Sequence, residues 1–226
     1  MALNIVNEID NLVAVRNILV SVSDKTGLDL FIEKLIFINP SIIFYSTGGT
    51  FNFISEIDGI IKGKNLVQIS DYTKQPEMQG GLVKTLDFRI YTGILSEKYN
   101  NEHKKDLQRT DSIEFDMVVV NLYPFSSTIG SKTTTFEQAR TNIDIGGPCM
   151  LRASAKNFHR VASVCDPSLY SMICDEMEKH KGKTSLKTRF TLARKTFKHT
   201  AYYDKTISEY ISTLDISDVE KCYEIH

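Results

Sequence analysis

The chain has 226 residues, 42% hydrophobic and 24% charged, with a formal net charge of −1. That length suffices for one sizeable core, and the near-neutral balance excludes a general nucleic-acid binder, whose affinity comes mostly from Lys and Arg on phosphates. No apolar run approaches the ~20 residues that cross a bilayer, the acids of "MALNIVNEID" do not suit a signal peptide, and Cys149, Cys165, Cys174 and Cys222 lack paired spacing, so a cytoplasmic protein with free thiols and no membrane partner is expected.

The β-branched run "NILVSVS" (17–23) predicts a buried strand, ended by "DKTG". In "LDLFIEKLIFIN" the apolar residues at 28, 30, 31, 35, 36 and 38 mark a helix face, stopped by Pro40. "SIIFYST" (41–47) predicts a second strand, broken at Gly48-Gly49-Thr50, after which "FNFISEI" reads as a helix; "LVQIS" (66–70) predicts a third strand. From Asp71 to Gly93 the sequence reads as one irregular stretch, too long for an idle connection and too apolar for disorder. Helix signals around 102–109 lead into "FDMVVVNLYPF", the best strand in the chain, closed by Pro124. Beyond "NIDIGGPCMLRASAKN" (142–157) come a strand "RVASVC" (160–165), a helix from Pro167 towards Lys181 and a long helical tail from Ser185.

Strands and helices alternate, and the strands are continuously apolar. That pattern predicts a mainly parallel sheet covered on both faces by helices, an α/β domain of doubly wound type. Ligands in such folds bind at the carboxyl ends of strands, so the loops after Ser23, Thr47, Ser70 and Leu122 are where a site is expected.

The turns at those positions carry the candidate chemistry. "SVSDKTG" sets Ser23, Asp24, Lys25 and Thr26 ahead of a helix, a place for an anion or for an ordinary N-cap. "STGGT" (46–50) supplies two glycines, which let backbone approach a ligand, and the hydroxyls of Thr47 and Thr50. Both turns open on one edge of the sheet, which suits a phosphorylated small molecule. Lys84 stands alone in the apolar "GGLVKTL", and Asn121 and Tyr123 end the strongest strand. Asp144 precedes Gly146-Gly147-Pro148, a helix start; it is either a cap or a carboxylate poised for proton transfer. Lys156 lies about 12 Å along that helix from Pro148 at ~1.5 Å per residue. Both ends therefore reach one small ligand only if the helix breaks or the substrate lies along it. The five histidines show no metal-ligand spacing. The basic "TRFTLARKTFKHTAYYDKTISEYI" has interleaved aromatics that could suit RNA, but its apolar residues Phe190, Leu192, Ala193, Phe197, Ala201, Ile207 and Ile211 fall at roughly helical spacing, which predicts a packing or dimer-forming helix with a solvated basic face.

Taken in order, "SVSDKTGL", "STGGT", "SDYT", "PEM", "VKTL", "GIL", "VVVNLYPF", "NIDIGGP", "LRASAKN" and "AYYD", spread over residues 17–212, resemble one family. It is the IMP cyclohydrolase domain of the bifunctional purine-biosynthesis enzyme that also carries an AICAR transformylase. The resemblance implies a methylglyoxal-synthase-like three-layer α/β sandwich with C-terminal helices, spanning 17–212 between an N-terminal extension (1–16) and a tail (213–226). It implies ring closure of FAICAR to IMP, with no metal and no cofactor, in a homodimer. By position it implies catalytic roles for Lys84, Tyr123, Asp144 and Lys156. Nucleotide contacts would come from Ser23, Asp24, Lys25, Thr47, Gly48, Gly49, Thr50, Thr85, Asn121, Ile145, Gly146 and Gly147.

Two departures stand out. Leu82, Asp87 and Tyr91 replace an arginine and two histidines of the family pattern, adding a negative charge where a guanidinium would favour an anion. The chain also leaves no room for a transformylase domain, so it is expected to be either a naturally separate domain or a fragment of a longer polypeptide, with the transformylase domain separate or missing and with no transformylase activity or folate binding of its own. The alternative is a nucleotide-binding regulatory module on the same fold; methylglyoxal synthase fits the quoted blocks less well.

Overall fold

The computed structural model describes residues 4–75, 85–130 and 133–226. In chain order its first half runs β1 (Leu12–Ala14), β2 (Asn17–Val22), α1 (Leu28–Ile38), β3 (Ile43–Ser46), α2 (Gly48–Ser55), β4 (Leu66–Gln68), α3 (Ile69–Thr73), α4 (Phe88–Leu95) and α5 (Asn101–Arg109). The second half runs β5 (Met117–Asn121), α6 (Phe125–Ile129), α7 (Phe136–Thr141), α8 (Gly146–Lys156), β6 (Ala162–Val164), α9 (Tyr170–Lys179), β7 (Lys183–Ser185), α10 (Leu186–Ser212) and α11 (Ile216–Glu220).

The continuously apolar runs do form a parallel sheet, in the order β4-β3-β2-β5-β6. A strand covered on both faces has no polar side to alternate with, and every residue of β5 is buried. Ile18, Leu19, Val20, Phe44, Val118 and Val119 make the centre of the core. Helices cover the sheet in two groups, α1 with α9 and α4 with α8 and α10. In the first group the rings of Phe31 and Tyr170 stack 4.2 Å apart. No helix among the described residues is long and apolar enough to cross a membrane.

The stretch expected to be irregular, 71–93, is largely helical where described. The expected third strand stops at Gln68 and passes into α3. Further on, Asp87 caps α4 by accepting the Arg89 N–H at 2.8 Å, and Ile90, Gly93 and Ile94 form its buried face. The carboxylate that departs from the family pattern is thus committed to a helix cap. α2 likewise begins at Gly48, three residues before the helix read from "FNFISEI".

Residues ahead of position 17 are tied to the C-terminal half. β1 pairs antiparallel with β7. The fully buried Arg189 donates to the carbonyl oxygens of Asp10 (2.7 Å), Asn11 (3.2 Å), Phe158 (3.0 Å) and His159 (3.0 Å), and also to that of Thr184. Along α10, Leu192, Ala193, Thr196, Thr200 and Tyr203 face inward, while Phe190, Phe197 and Ile211 remain exposed.

Candidate functional site

From β2 the chain winds outward through β3 to β4, then returns to β2's other side for β5 and β6. The carboxyl ends of β2 and β5 therefore diverge into a crevice, the usual ligand position in such sheets. A cleft of about 540 Å³ opens there. Its walls are Ser23 and Lys25 after β2, Thr47 to Thr50 after β3, Thr85 ahead of α4, Asn121 at the end of β5 with Tyr123 just beyond it, and Asp144 to Gly147 at the turn into α8.

Several predicted residues spend their polar groups on building the cleft. The side-chain oxygen of Asn121 accepts the N–H groups of Ser23 (2.7 Å) and Asp24 (2.9 Å), while its amide nitrogen donates to the Asp24 carbonyl (2.7 Å). Asn121 is thus a clasp that fixes the loop after β2. Thr50 braces the end of β2 from the other side, donating to the Val22 carbonyl (3.0 Å) and accepting the Val22 N–H (3.1 Å). Asp24 turns back on its own loop, accepting the N–H (2.9 Å) and hydroxyl (2.6 Å) of Thr26. Those bonds hold its carboxyl below the usual range, and it does not line the cleft.

What does face the cleft is suited to an anion. Thr47 places no side-chain cap on α2, so the first-turn N–H groups of Gly48 and Gly49 have no acceptor in their own helix, and both glycines line the cleft. The partial positive charge of that helix end favours an anion, and the Lys25 ammonium lines the same cleft.

Across from it lies the turn into α8. The Asp144 carboxylate accepts the Gly147 N–H at 2.8 Å, and its own N–H donates to the Tyr203 hydroxyl at 2.8 Å. Burial pushes the Asp144 carboxyl up from its ordinary range, partly offset by the Gly147 bond. The two glycines are required by contact. A Cβ on Gly147 would stand 2.4 Å from Asp144 Oδ2 and 2.7 Å from Leu122 Cδ2, and one on Gly146 would stand 2.5 Å from Thr85 Oγ1. Tyr123 and Ile145, 58% and 56% exposed, flank the mouth.

Of the four residues expected to act together, Tyr123 and Asp144 meet at this cleft. Lys84 lies outside the described residues. Lys156 is exposed at the C-terminal end of α8, the end away from the cleft, and does not line it. The helix runs unbroken from Gly146 to Lys156, so the along-axis separation is not folded away. Sequence reading did not find Leu86, Met150 and the 141–143 segment, which also line the cleft, nor the role of Tyr203. Tyr203 belongs to the quoted "AYYD" block, but nothing local shows that its hydroxyl anchors a loop 59 residues earlier. Among the described residues no group of three or more His, Cys, Asp or Glu could hold a metal.

Residues 31–149 match the family model for the MGS-like domain. The chain belongs to that family. Residues 154–225 match the AICARFT/IMPCHase bienzyme model, so an MGS-like domain is followed here by sequence of the bienzyme type. The chain is 45% identical over 192 residues to the bifunctional purine biosynthesis protein PurH of Caldicellulosiruptor bescii, covering 85% of this chain and 36% of that protein. It is 43% identical over 201 residues to PurH of Neisseria meningitidis serogroup A, covering 89% of this chain and 37% of that protein. The MGS-like chain thus spans a little over a third of the length of these relatives. Its fold matches the crystal structure of ForH with a TM-score of 0.71 at 27% identity, covering 87% of this chain and 97% of that one.

Proposed function

We propose that this chain closes the ring of FAICAR to give IMP with loss of water, as a step of purine biosynthesis. One observation carries the reading: a half-buried carboxylate, Asp144, shares a cleft with an uncapped helix end and Lys25, in a chain 45% identical to PurH.

In this reading the 5′-phosphate sits against the N–H groups of Gly48 and Gly49 and beside Lys25, with the clasped 23–27 loop as its rim. The heterocycle reaches towards Asp144 between Tyr123 and Ile145. Ring closure forms a bond from the carboxamide nitrogen to the formyl carbon and breaks the bond from that carbon to its oxygen. One proton leaves the carboxamide nitrogen and one leaves the formamide nitrogen; two reach the oxygen, which departs as water. Asp144 is the base for the carboxamide proton, since burial raises its basicity above that of an ordinary carboxylate. Lys84, next in sequence to Thr85, would stabilise charge on the carboxamide oxygen. Lys156, to which the resemblance also gives a catalytic role, stands at the other end of α8 and does not line this cleft. Tyr123 is the hydroxyl already at the cleft. The exposed Phe190, Phe197 and Ile211 on α10 support the expected homodimer.

Purified protein should convert FAICAR to IMP, followed by ultraviolet absorbance; IMP binding without turnover would overturn the enzymatic reading. A second expectation concerns the clasp. Asn121→Ala removes the three hydrogen bonds described above, and IMP affinity by calorimetry should fall about tenfold, the scale of one to two net hydrogen bonds. The far-UV circular dichroism should be unchanged. Wild-type affinity in that variant would mean the loop needs no clasp.

A further inference from the structure

The long C-terminal helix, α10, holds the wall of the cleft at two places. At the first, the Tyr203 hydroxyl accepts the Asp144 N–H at 2.8 Å. The neighbouring hydrogen bonds of that turn stay local: those of Asn142, Ile143 and Ile145 end within four residues in sequence. Among the described residues, Tyr203 is thus the hydrogen-bond partner that fastens the turn before α8 to a distant part of the chain.

The second place is the corner after β5. The Tyr203 ring meets Phe125 edge-on with 6.4 Å between centroids. Tyr210, two helical turns further along α10, meets the same ring at 5.7 Å. The Phe125 N–H donates to the Tyr123 carbonyl at 2.8 Å, so the ring that α10 grips belongs to the residue that holds the Tyr123 backbone. Phe125 and Tyr203 are both buried. One side chain therefore reaches both halves of the mouth, Asp144 through its oxygen and Tyr123 by way of Phe125. Tyr203 does not itself line the cleft, so any effect on chemistry passes through the residues it holds.

We propose that Tyr203 is a positioning residue for Asp144: its hydroxyl sets where the carboxylate stands relative to Tyr123 across the cleft mouth. A phenylalanine would keep the packing on Phe125 but leave the Asp144 N–H without an acceptor. Because the Gly147 N–H donates to Asp144 Oδ1, a shift of the Asp144 backbone is passed on to the carboxylate and to the first turn of α8. The inference rests on the ring-closure reading only for its catalytic consequence; the placement of the carboxylate does not.

The test is Tyr203→Phe, which removes the oxygen and keeps the ring. In amide NMR of the free protein, exchange of the Asp144 N–H with solvent should quicken about tenfold, the scale of one net hydrogen bond. The Gly147 amide proton, which reports the bond to the carboxylate, should move upfield. With FAICAR, kcat should fall about 10–100-fold through misplacement of the base, while KM and IMP affinity stay within about twofold. A mere structural brace would lower the melting temperature and leave the Gly147 resonance and kcat in place when both are read well below the transition. That result overturns the proposal, as does an equal loss of kcat and IMP affinity. Moved amides together with no FAICAR turnover in the wild type would leave the positioning role standing and remove the ring-closure reading. If Tyr203→Phe does not fold, Tyr203→Met, which lacks the hydroxyl and adapts to the space, is read in the same way: a moved Gly147 resonance supports the proposal, an unmoved one overturns it.

Discussion

Asp144→Asn should bind IMP with near wild-type affinity and cyclise FAICAR about 10²–10⁴-fold more slowly, the scale of one general base. The variant keeps the shape of the side chain and the oxygen that receives the Gly147 N–H, so the turn into α8 and the glycine contacts beneath it persist. What disappears is basicity. The same substitution should raise stability, and the sign follows from burial. The folded-state pKa of Asp144 lies above its ordinary value, so the stability linked to this group is fully present below the unfolded pKa and is lost as pH rises through the folded one. Asparagine does not titrate. At pH 8 the variant should therefore melt about 1–3 °C above the wild type, and the gap should close in acid. Turnover within a few-fold of wild type would remove Asp144 as the base. A loss confined to KM would make it a binding group only.

Arg189→Leu should cost about 3–5 kcal/mol of stability, among the largest single-residue effects in the molecule. A fully buried guanidinium is tolerable here because its donors meet five carbonyl oxygens. Burial pulls its pKa down to about 10. Leucine fills part of the volume and offers no donor, leaving those carbonyls unpaired in a low-dielectric interior. The urea midpoint should fall accordingly. Lys187→Leu, at an exposed position on the same helix, should move stability by less than about 0.5 kcal/mol. A small effect at Arg189 would mean that water reaches the carbonyls it serves.

The sheet was legible because β2, β3 and β5 are runs of buried apolar residues with nothing else to read. The three-residue strands β1 and β7 were not, since their pairing joins residues about 170 apart and no local periodicity encodes it. α4 was hidden for a related reason: an eight-residue helix with three buried positions gives little periodic signal, and its cap, Asp87, reads from sequence as a stray charge near an anion. At the site, the glycine turns were readable because backbone requirements are written in residue type. The division of labour among polar side chains was not. Asn121 and Thr50 have the chemistry of ligand contacts, yet their hydrogen bonds go to neighbouring loops. Lys156 matches its motif but sits at the far end of an unbroken helix.

The clasp of Arg189 on the carbonyls of Asp10 and Asn11 joins residues 179 and 178 apart in sequence. At a synthesis rate of roughly 5–20 residues per second, β1 waits on the order of 10–35 s for its partner to be translated. During that interval its edge and the floor beneath it stay open to any chaperone or neighbouring nascent chain. These closing contacts therefore form only once the ribosome has passed β7 and Arg189.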